Sequence, residues 1–208
     1  MGSQGLMTKG VPFEESEGVP MLFAWKNHVV PARYGCVFSS IDIMPTLASL
    51  AGLDAPGADG TDYSPLLAGK DFRTTEYAFT EFNYGGIGEK SRPWRAVFSE
   101  DYVYILAGPC RMRTEYFTEG YVLFDRKKDP YQMNPIVRGM GYDSIIDEYH
   151  RVLVSHLEST GDRFMEQMWN VSEEELPDMP YLNKYNPDPY LESGKSGQQV
   201  KGKIRRKG

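Results

Sequence analysis

This sequence predicts an α/β protein made of two unlike parts. A short continuous apolar run, Val19-Pro20-Met21-Leu22-Phe23-Ala24-Trp25, is bounded by turn residues, as a strand buried on both faces of a parallel sheet would be. A helical pattern follows it directly. Beyond residue 75 the pattern changes to short aromatic strands closed by one long amphipathic helix.

The first helix is expected over Ser40 to Gly52. Asp42 can cap it, Pro45 falls in the first turn where a missing N–H costs little, and Gly52 stops it. Ile43, Met44, Leu47, Leu50 and Ala51 form its apolar stripe, the face that would pack on a sheet. Leu53 to Thr75 is rich in Gly, Pro, Asp and Ser and reads as a linker anchored by Leu66-Leu67. Four strands follow: Glu76 to Asn83 with Tyr77 and Phe79 on one face, Trp94 to Phe98, Tyr102 to Leu106 and Tyr121 to Asp125. The middle two are joined as a hairpin across Ser99-Glu100-Asp101. Such a sheet needs cover on one face, and Ser144 to Thr160 supplies it, with Ile145, Ile146, Tyr149, Val152, Leu153, His156 and Leu157 at helical spacing and Gly161 as the stop. From about Val171 the chain turns polar and Pro-rich and ends in a Gly- and Lys/Arg-rich tail, expected to be extended or disordered.

Composition excludes several functions. The 208 residues carry a formal net charge of −6, which argues against a general nucleic-acid binder. No apolar stretch approaches the roughly 20 residues needed for a transmembrane segment. Two cysteines give no disulfide framework. The three histidines are not at ligand spacing near paired carboxylates, so no metal site is contained in the chain alone. His28 and His150 are expected at the surface and His156 in the core. Localisation is not written in the sequence.

Lys9 sits in a Gly-rich loop before the apolar run, where Gly10 permits close backbone approach; a compact ammonium there suits an anionic group. The loop Gly85 to Arg92 carries Lys90 and Arg92 between two strands and matches no phosphate-binding fingerprint, because no helix follows it. Glu14, after Phe13, is expected to have a structural hydrogen-bonding role. Asn170-Val171-Ser172 fits a glycosylation acceptor, a pattern short enough to arise by chance.

Five segments, in order, resemble the sulfatase family: Met1 to Glu15, Val19 to Trp25, Ser40 to Leu53, Gly60 to Gly69 and Leu123 to Asn134. The resemblance implies that residues 1–70 are the end of an alkaline-phosphatase-like doubly wound catalytic sheet. It likewise implies that residues 71–170 are the small C-terminal antiparallel subdomain, with residues 171–208 as a tail. The nucleophile motif of that family, Cys/Ser-x-Pro-x-Arg with its formylglycine, is not matched: Val37-Phe38-Ser39 follow Cys36, and Arg111-Met112-Arg113 follow Cys110. Gln4 stands where relatives often carry His. The chain is therefore expected to be the C-terminal portion of a sulfuric ester hydrolase, inactive alone, with no catalytic or metal-binding residue of its own. The calcium ligands and nucleophile would lie upstream, in a missing N-terminal half. Lys9, Lys90 and Arg92 are the expected substrate-binding residues, facing a sulfated small molecule or glycan. A phosphoester or phosphonate-ester hydrolase of the same superfamily, and a non-catalytic binder of sulfated glycans, are the alternatives.

Overall fold

The computed structural model describes residues 12–82, 94–107 and 120–165. Among them stands one four-stranded antiparallel sheet, β1 (Ala78–Phe82), β2 (Trp94–Phe98), β3 (Tyr102–Ala107) and β4 (Tyr121–Asp125), in the order β1-β2-β3-β4. Helix α4 (Asp143–Thr160) covers one face. The expected strands agree with those observed to within two residues at each end, because alternation of β-branched and aromatic residues is a local signal that the sheet then satisfies.

The β2–β3 hairpin turns on Ser99, whose hydroxyl accepts the N–H groups of Asp101 and Tyr102 at 3.1 and 3.0 Å. The same oxygen lies 2.5 Å from the Tyr149 hydroxyl of α4, so helix and hairpin are bolted together at a buried point. Tyr77 and Phe79 both pack toward α4, as their shared parity predicts. Helix α4 ends at Gly161, whose φ of 70° lets the Asp162 N–H reach back to the Leu157 carbonyl at 2.8 Å. Just past that turn, Asp162 receives the buried Arg95 guanidinium at 2.5 and 3.2 Å, while Arg95 also lies 4.6 Å over the Phe164 ring.

The other face of the sheet is buried as well. Phe13 packs there against Phe124, with ring centroids 6.1 Å apart, among Trp94, Ala96, Val103, Ile105 and Val122. One face covered was the expectation; the uninterrupted burial of β2 and β4 shows two.

Residues 12–75 form a thinner unit. It contains α1 (Glu14–Glu17), a 3-10 turn (Ser40–Asp42) running into α2 (Ile43–Leu50), and α3 (Ser64–Leu67). Asp42 is buried at this joint. Its carboxylate accepts the backbone N–H of Ser39 and of Thr61, both at 2.7 Å, so it ties the helix start to the following loop. Gly60 permits that approach, since a Cβ there would fall 2.1 Å from the Ile41 carbonyl oxygen. Tyr63 is the central ring, flanked by Phe38 and Phe72, with its hydroxyl donating to the Val37 carbonyl at 2.7 Å.

Two expectations are corrected here. Val19 to Trp25 forms no strand, and Leu22 is 87% exposed. A strand persists only when a neighbour exchanges backbone hydrogen bonds with it, and no described strand pairs with this segment. The α2 stripe is likewise not buried: Met44 and Leu47 are exposed, and the helix instead buries Pro45 and Thr46 against residues 61–63. Among the described residues no helix is long and apolar enough to cross a membrane.

Candidate functional site

The three expected substrate-binding residues, Lys9, Lys90 and Arg92, lie outside the described residues, as do Gln4 and Cys110. What the fold does give is the frame on either side of them. Phe82 and Trp94, which bracket Lys90 and Arg92 in sequence, are register partners with rings stacked 5.9 Å apart. Ala107 and Gly120 are joined by a 2.9 Å backbone hydrogen bond at the same end of the sheet. The described frame downstream of Lys9 begins at buried Pro12 and Phe13.

A cavity of about 310 Å³ opens at the opposite end, where the hairpin meets the thin unit. Its wall is built from Glu14, Cys36, Glu100, Arg126, Pro130 and Gln132, with Gly35 and Val37. Arg126 leaves the end of β4, donates one guanidinium N–H to the Ser99 carbonyl, and grips both Glu14 carboxylate oxygens at 3.1 and 3.2 Å. The Glu14 backbone N–H in turn donates to the Gln132 side-chain oxygen at 2.5 Å. Gln132 is buried and adopts φ 52°, a left-handed conformation uncommon for a residue with a side chain. Glutamate 14 thus has the structural hydrogen-bonding role expected of it.

The electrostatics of this cavity decide what it can hold. One guanidinium faces two carboxylates, and the guanidinium is already paired, so the wall offers no surplus positive charge to a sulfate. Burial is the main cause that pushes the Cys36 thiol up, with Glu100 adding to it, so this cysteine is kept in its protonated, poorly nucleophilic form. No group of three His, Cys, Asp or Glu side chains among the described residues is placed to hold a metal ion. The cavity lies in the seam between the hairpin and the thin unit.

The histidines complete the inventory. His28 is exposed and stacks on Trp25 at 3.9 Å. His156 is half-buried and lies flat on Phe79, ring centroids 3.7 Å apart; burial depresses its basicity. His150 corrects the expectation of solvent exposure. It is buried, with Nδ1 2.9 Å from the Tyr104 hydroxyl, because the sheet face reaches one position further round α4 than the apolar stripe suggests.

Asp125, at the end of β4, anchors the turn between that strand and the seam. Burial alone would raise its pKa, but the backbone N–H groups of Lys128 and Lys127 and the Lys128 ammonium together outweigh it and hold the carboxyl below its ordinary range. Neither Asp125 nor Arg126 stood out as a functional residue from sequence. Their only signal was the Leu123-Phe124-Asp125-Arg126 run itself.

Comparison with known proteins places this frame. The chain is 34% identical to the bovine arylsulfatase A over 141 residues, 65% of this chain and 25% of that protein. It is 27% identical to a Delta 4,5-hexuronate-2-O-sulfatase of Bacteroides thetaiotaomicron over 171 residues, 79% of this chain and 34% of that protein. A solved structure of a 2-O GAG sulfatase superposes with a TM-score of 0.51 at 24% identity, covering 60% of this chain and 26% of that one, which speaks to the fold. The chain therefore spans about a quarter to a third of the length of these relatives. Residues 2–159 match the sequence model of the family described as N-sulphoglucosamine sulphohydrolase, C-terminal, and the chain belongs to that family of sulfatase C-terminal regions.

Proposed function

We propose that this chain serves as the C-terminal portion of a sulfatase and takes part in hydrolysing a sulfate ester on a sugar. The observation that carries this reading is the family match over residues 2–159, which takes in the thin unit and the antiparallel subdomain together. That two such matched regions fold here around shared contacts, Phe13 on Phe124 and Glu14 on Arg126, supports their acting as one piece. The sugar is favoured because the family is described by a sulphoglucosamine substrate and one relative by a hexuronate sulfate.

In this proposal the nucleophile, a formylglycine, and the calcium ligands come from polypeptide outside this chain, within an alkaline-phosphatase-like body. The chain's own contribution is positive charge at the substrate: Lys9 at the sulfate, with Lys90 and Arg92 at the surrounding rim. Charge spread over the sulfate oxygens in the transition state is best stabilised by fixed positive groups in a water-poor site. The seam cavity, lacking free positive charge, stays outside the chemistry and holds the two parts of the chain together.

The test joins this chain to the N-terminal portion of a sulfatase from the same genome and measures release of sulfate from an aryl sulfate and from sulfated glucosamine and hexuronate. Calcium-dependent sulfate release supports the proposal. Release of phosphate from a phosphoester, with no sulfate release, overturns it in favour of the phosphoester reading.

A further inference from the structure

A lysine at the sulfate acts on the transition state only if its loop is held in one position. Gly10 and Val11 alone separate Lys9 from Pro12, which is buried. Three residues of chain place the Lys9 Cα within about 11 Å of the Pro12 Cα. Whatever fixes the backbone just after Pro12 therefore limits where the ammonium can act.

That backbone is fixed from the far end of the chain. The Glu14 N–H donates to the Gln132 side-chain oxygen at 2.5 Å, and the Glu14 carboxylate accepts two N–H bonds from Arg126. Gly18 completes the seat, because a Cβ there would fall 2.8 Å from the Glu14 oxygen Oε1. Arg126 is itself held on the hairpin. Its backbone N–H donates to the Asp101 carbonyl at 2.8 Å, one guanidinium N–H donates to the Ser99 carbonyl, and the guanidinium lies 5.8 Å over the Phe98 ring. Ser99 is joined in turn to Tyr149 of α4. A continuous line of contacts runs from α4 through the hairpin to Glu14, five residues past Lys9.

Phe13 on Phe124 joins the two units by burial, which has no direction. The bonds at Glu14 add direction, since a hydrogen bond weakens steeply off its axis. Gln132 supplies its bond from a left-handed backbone, φ 52°, a conformation that persists only where the surroundings enforce it.

We infer that Arg126 is a positioning residue for Lys9: from the antiparallel subdomain it sets the direction in which the chain runs between Glu14 and the lysine. The inference rests on the sulfatase reading and adds to it a part in turnover for a residue that touches no substrate.

The experiment uses the covalently joined protein and compares aryl-sulfate hydrolysis by Arg126→Met, Lys9→Ala and the double variant with the parent. Methionine keeps an apolar stem against Phe98 and drops both bonds to Glu14. In Arg126→Met, kcat should fall about tenfold or more with KM little changed. In the Lys9→Ala background the same substitution should cost less than about twofold, because its effect runs through the lysine. Arg126→Lys, with one ammonium in reach of Glu14, should recover part of the loss. Asp162→Ala disturbs the same subdomain away from Glu14 and should leave kcat unchanged. Glu14→Gln, milder for the fold, carries the same comparison where Arg126→Met does not fold.

An Arg126→Met protein as active as the parent overturns the inference and leaves the sulfatase reading standing. Equal losses with and without Lys9, or an equal loss in Asp162→Ala, do the same. A joined parent that releases no sulfate strikes the sulfatase reading itself, and the inference falls with it.

Discussion

Arg126 and Glu14, 112 residues apart in the chain, meet in two charge-assisted hydrogen bonds of 3.1 and 3.2 Å. This pair is the polar half of the contact between the thin unit and the sheet; Phe13 on Phe124 is the apolar half. Arg126→Ala should destabilise the chain by about 1–2 kcal/mol, since it also leaves the Ser99 carbonyl without its guanidinium donor. Glu14→Gln should cost less, about 1 kcal/mol, because the Glu14 backbone bond to Gln132 survives. Urea denaturation of both single variants and the double variant isolates the pair; a coupling near zero would show the seam is held by Phe13 alone.

Arg95 and Asp162 make the second prediction. Arg95 is buried, with a side chain 5% exposed, and a buried charge deprived of its partner is expensive. Asp162→Ala should cost about 2–3 kcal/mol, the exposed Glu81 at 3.5 Å recovering only part of the loss. Arg95→Met, which removes the charge and keeps the stem on Phe164, should cost less than Asp162→Ala. Equal losses in the two variants would mean that the ion pair, rather than an orphaned charge, carries the energy.

Asp162 also predicts an acid limb. Burial would raise its pKa, yet the Arg95 guanidinium and the Phe164 backbone N–H outweigh this and lower it, as the Lys128 contacts do for Asp125. A carboxyl whose folded pKa is depressed contributes stability that is present above its unfolded pKa and is lost as pH falls through the folded one. Stability should thus decline below about pH 4. In Asp162→Asn that decline should be shallower, which melting temperatures between pH 2 and 6 would show.

His156 gives a separate window. Burial against Phe79 lowers its pKa from the ordinary 6.5, so the neutral ring is the stable one in the folded state. Its contribution is full above pH 6.5 and is lost as pH falls from there toward the lowered folded value. His156→Phe keeps the stack and removes the titration, so its stability should be flatter with pH between 5 and 7 than that of the parent chain. Chemical denaturation at closely spaced pH values reads the difference.

The proposed role of Lys9 is open to kinetics in a complete enzyme. Lys9→Ala should depress turnover by a hundredfold or more, corresponding to about 3 kcal/mol of transition-state stabilisation, with folding unaffected. Lys9→Arg should recover little, because a planar fork does not replace a compact charge. An unchanged turnover in Lys9→Ala would remove it from the sulfate site.

The antiparallel half could be read almost residue by residue; in the thin unit the helical stretch from Ser40 was legible and the Val19–Trp25 segment was not. Tyr121 to Asp125, Trp94 to Phe98 and the α4 stripe announce themselves through alternation or helical spacing, and their partners lie within the same 90 residues. Val19 to Trp25 carries an equally clear strand pattern, but a strand needs a partner to exchange hydrogen bonds with, and no described strand pairs with it. His150 was misplaced because the burial of one extra helix position depends on how closely Tyr104 approaches, which no pattern in α4 records. The Arg126–Glu14 pair is invisible for a different reason: long-range ion pairs leave no periodic trace.

The order β1-β2-β3-β4 means that every strand is laid against the one made just before it. No strand waits for a distant partner, and the loop-closure entropy of each step is that of a hairpin. On a ribosome this half can zip up in sequence as it emerges, then receive α4 as a lid once Asp143 to Thr160 is released. Phe13, made before any strand of the sheet, must wait for Phe124. The segment around it therefore lacks that contact until β4 has been made, and stays open to other neighbours up to that point.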